Sequence, residues 1–155
     1  MKRLLSLLLS LVCVLLPAGC RDEDEAPPLV VTSNGEEAAP YVNLLWSLNW
    51  TGDGWLSADC GSISDGLPEI CDELEAVTYS DDFSVQHKDG VSFSSLSVFD
   101  AAFDRIHHSA GLSLLEELPE GNYYISIVVS SQDRYIASED NYETSGRECV
   151  FKFIK

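Results

Sequence analysis

Hydrophobic and polar positions alternate most clearly between Tyr41 and Trp50. Val42, Leu44, Trp46, Leu48 and Trp50 fall at every second place, with Asn43, Ser47 and Asn49 between them. A period of two with aromatic and branched residues predicts a half-buried strand with those five side chains on one face. Thr51-Gly52-Asp53-Gly54 then turns the chain. Leu74 to Tyr79 reads as a further strand, and Lys88-Asp89-Gly90 as a turn before a short strand at Val91-Ser92-Phe93. Pro119-Glu120-Gly121-Asn122 is another turn. It leads into Tyr123 to Val129, an apolar run expected to be buried on both faces. Cys149 to Ile154 closes the chain as a last strand, with Phe151 and Phe153 opposite Val150, Lys152 and Ile154.

One segment shows the helical period instead. Phe99, Ala102, Phe103 and Ile106 recur at i, i+3, i+4 and i+7. Ser97 with Asp100 fits a capping box, and Gly111 lies beyond the end. Ser113-x-x-Glu116 offers a cap for one further turn. Short strands separated by turns, with one helical connection, predict a mainly β sandwich.

The first twenty residues have a different character. Met1-Lys2-Arg3 precedes an apolar run from Leu4 to Leu16, then Pro17-Ala18-Gly19-Cys20. A basic start, a short apolar core and small residues before a break make a secretory signal. The run falls short of the roughly 20 apolar residues a spanning helix needs. The step into Cys20 resembles the bacterial lipobox, in which the Cys is acylated and becomes the new N-terminus. Pro17 stands where that pattern has Leu. The resemblance implies removal of residues 1–19 and a lipid anchor at Cys20; the alternative is ordinary cleavage after Ala18 or Gly19, leaving a secreted thiol. Several acyl chains hold stably, since each buried CH₂ contributes about 0.8 kcal/mol. Asp22, Glu23, Asp24 and Glu25 follow, similar to the surface-export signal of Bacteroidota lipoproteins. They also suit a solvated tether, which is expected to span residues 20–40 ahead of one domain at 41–155. Leu29-Val30-Val31-Thr32 offers a short strand within it.

Charge narrows the partners. The chain holds 26 acidic and 9 basic residues, a formal −17. Loss of Lys2 and Arg3 with the signal leaves seven basic against 26 acidic, or −19. Such a field excludes nucleic-acid binding, which needs clustered Lys and Arg.

The stretch from Leu74 to Phe83, the Gly90-Val91-Ser92-Phe93 step and the Glu120-Gly121-Asn122-Tyr123 turn resemble a Bacteroidota lipoprotein family of unassigned function. That resemblance spans about residues 60–154. It implies a lipid-anchored, immunoglobulin-like domain and no activity; the likeness of Asp22 to Glu25 to an export signal implies the outer membrane, facing the exterior.

Candidate chemistry is sparse. Cys60 and Cys71 bracket a Gly/Ser/Pro-rich loop and are expected to form a disulfide in an exported protein, worth about 2–3 kcal/mol. Cys71–Cys149 is the rival pairing. No CxxC spacing, Gly-x-Ser-x-Gly, P-loop or Rossmann pattern occurs. His107 and His108 are adjacent, so they cannot grip one ion as an i, i+4 pair does, and His87 adjoins a turn. No metal or other cofactor is expected. Asp53, Asp59 and Asp65, spaced six apart, lack an EF-hand pattern. Trp46 and Trp50 read as core. Trp55 follows a glycine turn, where it either packs under the loop or serves as a ligand platform for a sugar or a protein. The expected role is non-enzymatic binding or assembly at the envelope, with a protein or glycan partner. The alternatives are a small envelope enzyme using loop carboxylates and a protective or immunity lipoprotein.

Overall fold

The computed structural model describes residues 27–50, 53–131, 134–136 and 141–155, with the side chains of 134–136 and 141–143 left undescribed. Among the described residues, eleven strands form two sheets. They are β1 (Leu29–Ser33), β2 (Glu36–Ala38), β3 (Tyr41–Trp50), β4 (Trp55–Asp59), β5 (Ala76–Thr78), β6 (Ser84–His87), β7 (Val91–Phe99), β8 (Arg105–Ser109), β9 (Asn122–Ser131), β10 (Arg134–Ile136) and β11 (Asn141–Ile154). The small sheet has the order β2-β1-β6. The large one runs β4-β3-β11-β9-β7-β8, with β10 and β5 also paired to β11. β11 is its spine. Antiparallel β3 covers one side up to Val150, and parallel β5 takes over that side at Lys152 to Ile154.

The sheets pack face to face, as the strand spacing predicts for a sandwich. Leu29 and Val31 of β1 meet Leu96, Val98, Ile125, Ile127, Cys149, Phe151 and Phe153 of the large sheet in one buried cluster. The far side of the large sheet carries a second, smaller cluster. There Val150 and Phe99 meet Leu67 and Leu74, around a 3₁₀ turn (Ile63–Gly66) that runs into α1 (Leu67–Ile70). A second helical turn, α2 (Leu114–Glu117), follows Ser113 and buries Leu115.

The helix expected over Phe99 to Ile106 is a β-hairpin. β7 ends at Phe99 and β8 begins at Arg105. The Asp100 carboxylate accepts from the N–H groups of Ala102 (2.8 Å) and Asp104 (3.0 Å), closing a local turn. Phe103 adopts a left-handed φ of 66°, which no α-helix tolerates. Ser97 caps nothing; its hydroxyl meets His108 Nδ1 across the hairpin at 3.0 Å. Phe103 instead stacks on Tyr124, ring centroids 4.9 Å apart. The helical spacing of these apolar residues is met by a turn because Asp100 supplies the turn with its own acceptor.

The folded part also extends back before Tyr41, into the segment whose composition suits a tether. Leu29 and Val31 are core, and Asn34 and Gly35 join β1 to β2 with φ of 55° and 73°. Two left-handed residues between paired Ser33 and Glu36 make the tight hairpin that Asn-Gly favours.

Candidate functional site

The site is created by a bulge. β3 pairs Trp46 with Gly146, but the next pair is Leu44 with Arg147, so Leu45 is an extra residue on β3. An extra residue inverts the facing of everything beyond it. Val42 therefore joins the core between the sheets, whereas Trp46, Leu48 and Trp50 turn to the opposite face. The single face expected for all five side chains is thus divided in two. β4 extends that opposite face at the sheet edge, pairing Asp59 with Trp46, Ser57 with Leu48 and Trp55 with Trp50.

The three tryptophans consequently lie on one face. Trp55 is 57% exposed rather than packed under the loop, and Trp46, at 38%, is not the core residue its alternation suggests. Trp50 is half-buried and meets Trp55 across the strands at 5.3 Å between centroids, tilted by 54°. Gly146 forms the floor under Trp46: a Cβ there would lie 2.6 Å from the indole Cε2. Inward from Gly146 the same face continues through Ser130 of β9 and Ser92 of β7. It is a short aromatic platform bordered by hydroxyls.

The border nearest the helical turns is pinned by a buried carboxylate. Glu148, 1% exposed, shares the face of Gly146. It accepts from Ser126 Oγ (2.6 Å), Ile63 N (2.6 Å) and Ser62 Oγ (2.9 Å). Asn43 Nδ2 adds a bond to Gly61 O at 3.0 Å, and Asp59 Oδ1 accepts from Gly61 N at 3.1 Å. Together they fix the loop after β4 and hence the edge on which Trp55 sits.

A second polar cluster lies on the small sheet. Asp82 accepts from the N–H groups of Asn34 (2.8 Å) and Gly35 (2.7 Å), while Ser80 donates to it. The Ser80 bond first, then those two amides, hold its carboxyl below the usual 3.8. Phe83 packs on Phe153, centroids 5.3 Å apart. The Ser80-Asp81-Asp82-Phe83 step behind the family resemblance therefore clamps a hairpin and fills the core.

The disulfide expected between Cys60 and Cys71 is not formed, nor does either bond to Cys149. Cys60 leaves β4 with its N–H bonded to Leu45 O at 2.8 Å. The Cys71 thiol turns back on its own helical turn, donating to Pro68 O at 3.4 Å. Cys149 is fully buried in β11, and burial pushes its thiol up to about 12. The loop is held by Glu148 rather than by sulfur.

Asp53, Asp59 and Asp65 are not gathered, and among the described residues no three metal-ligating side chains converge. His107 and His108 take successive places on β8 and face opposite sides. Cys20 and Asp22 to Glu25 lie outside the described residues. Among the described residues no helix is long and apolar enough to cross a membrane. Comparison with protein-family models, with curated proteins and with solved structures finds no match.

Of the platform, sequence reasoning singled out Trp55 alone. Trp46 and Trp50 were hidden by their regular alternation. A Gly-Asp-Gly turn followed by Trp55-Leu56-Ser57, with small polar residues around it, was the available signal of an exposed edge.

Proposed function

We propose that this chain is a lipid-anchored protein of the bacterial cell envelope whose domain binds a partner without turning it over. The observation that carries the reading is the tryptophan platform. Large aromatic surface left in water is costly, and such residues concentrate where a partner removes them from it. Cys20 and the acidic residues Asp22 to Glu25 supply the rest of the proposal: a tether that holds the platform at the outer membrane, facing outward.

Oxidative footprinting tests the binding role without a known ligand. Hydroxyl radicals modify Trp46 and Trp55 in the purified, detergent-solubilised protein. On intact cells a bound partner protects both, while exposed Leu56, on the other face of β4, stays equally reactive. Equal modification of the tryptophans in the two settings would overturn the reading.

A further inference from the structure

We infer that the platform takes a neutral polysaccharide, its sugar rings lying along β3 with their C–H faces on Trp46, Trp50 and Trp55. The inference rests on the binding role proposed above and names the ligand class for that same site.

The match is one of surface chemistry. A pyranose ring is apolar on its faces and hydroxylated around its rim. An indole accepts the face, and short polar side chains beside it serve the rim. Asp59 stands across from Trp46, and Ser57 lies between Asp59 and Trp55 on the same face of β4. On the inner side, Ser130 is paired with Gly146 and Ser92 with Ser130. The platform is therefore flanked by a carboxylate and a hydroxyl on the β4 side and by hydroxyls on the inner side, which can donate to and accept from sugar hydroxyls.

A protein partner fits the same surface less well. A stable protein interface removes about 800 Å² from each side and centres on closely packed apolar residues. Here Gly146 and then Ser130 lie inward of Trp46, Thr144 is paired with Leu48 and Tyr142 with Trp50, and farther in Val128 is half-buried and paired with Glu148. Extent matters as well. Trp46 and Trp50 are four residues apart along a strand, about 13 Å, farther than one sugar ring reaches. A chain of sugars spans them. The acidic charge, formally −17 and −19 without residues 1–19, sets the remaining condition: an acidic polymer is repelled by such a field, which favours a neutral one over it.

Affinity electrophoresis of the detergent-solubilised lipoprotein tests this. Native gels would carry dextran, amylopectin, mannan, galactomannan, xylan or mixed-linkage β-glucan, with polygalacturonate as the anionic comparison. At least one neutral polymer should retard the protein, and polygalacturonate should not. Trp55→Ala and Trp46→Ala should each weaken retardation about tenfold, the effect of about 1.4 kcal/mol. Leu56→Ser, on the opposite face, should leave it unchanged. Circular dichroism and thermal melting confirm that each variant is folded; if Trp46→Ala is not, Trp55→Ala at the more exposed edge position decides alone. Absence of retardation by every neutral polymer overturns the inference. So does retardation that survives Trp55→Ala, or stronger retardation by polygalacturonate. If none of the neutral polymers binds yet footprinting still shows Trp46 and Trp55 protected on cells, the ligand class fails and the binding role stands. If sedimentation then shows dimers that Trp55→Ala dissociates, the occupant is a second copy of the chain.

Discussion

The indole of Trp46 lies on Gly146, its partner across the β3–β11 ladder, in the space a Cβ would fill. Glycine in the centre of a sheet weakens the strand, and here it creates the depth that keeps Trp46 partly sunk at the floor of the platform. Gly146→Ala should lift the ring outward. Because the ring has solvent to move into, the cost belongs near the lower end of the roughly 1–3 kcal/mol typical of overpacking. Urea unfolding should show that loss, and acrylamide should quench the tryptophan emission more strongly. Unchanged quenching and stability would show that the contact does not hold the ring.

Glu148 is a buried carboxyl in the middle of β11, between Gly146 and Val150 on its face of the sheet. Its three donors come from Ser126 and from Ser62 and Ile63, the latter two 86 and 85 residues away in sequence. Glu148→Ala strands those donors and releases the loop. The expected loss is about 3 kcal/mol, since bonds to a charged acceptor are worth about 1.5–3 kcal/mol. Glu148→Gln should cost less, because its carbonyl oxygen still accepts. Denaturant curves of the two variants give the order directly.

Asp82 makes the β1–β2 hairpin sensitive to acid. Its carboxyl titrates below 3.8 in the folded chain. The stabilisation from a depressed carboxyl is fully present above that ordinary value and is lost as pH falls through the lower folded one. Asp82→Asn should therefore be less stable than wild type at neutral pH, with the difference shrinking as pH drops below 3.8. A difference that stays constant down the acid range would contradict the clamp.

The thiols should react in two classes. Cys60 is exposed and Cys71 half-buried, whereas Cys149 is buried with its thiol raised to about 12. Iodoacetamide at neutral pH should label the first two in the folded protein and reach Cys149 only on unfolding. Peptide mapping under non-reducing conditions should also recover no Cys60–Cys71 crosslink.

Anchoring and display are separable. Cys20→Ser should abolish acylation and leave the protein in the soluble fraction, read by mass spectrometry and by pelleting. Replacing Asp22, Glu23, Asp24 and Glu25 with Ala should keep the anchor but remove protease sensitivity on whole cells. An unmodified Cys20 at the N-terminus of wild type would end the anchoring proposal.

The chain's local pattern determined a good deal by itself. The strands at Tyr41 to Trp50, Tyr123 to Val129 and Cys149 to Ile154 were legible because a strand's period is a property of neighbouring residues. Their number and spacing implied a sandwich. The turns at Lys88-Asp89-Gly90 and Pro119 to Asn122 were legible for the same reason.

What the tertiary structure decided was facing. Alternation says that successive side chains point apart, but not where the alternation slips. Leu45 becomes a bulge only because β11 offers Gly146 and Arg147 to Trp46 and Leu44, about 100 residues later in the chain. That register alone moves Trp46 and Trp50 from the expected core to the open platform with Trp55. The same holds for Glu148, whose charge hides the middle of β11 from a hydrophobicity reading until distant Ser62, Ile63 and Ser126 supply its donors. Phe99 to Ile106 could be a helix by spacing; Asp100 and the pairing of β7 with β8 make it a hairpin. In each case the deciding partner is remote in sequence or lies in backbone geometry, and a one-dimensional pattern holds neither.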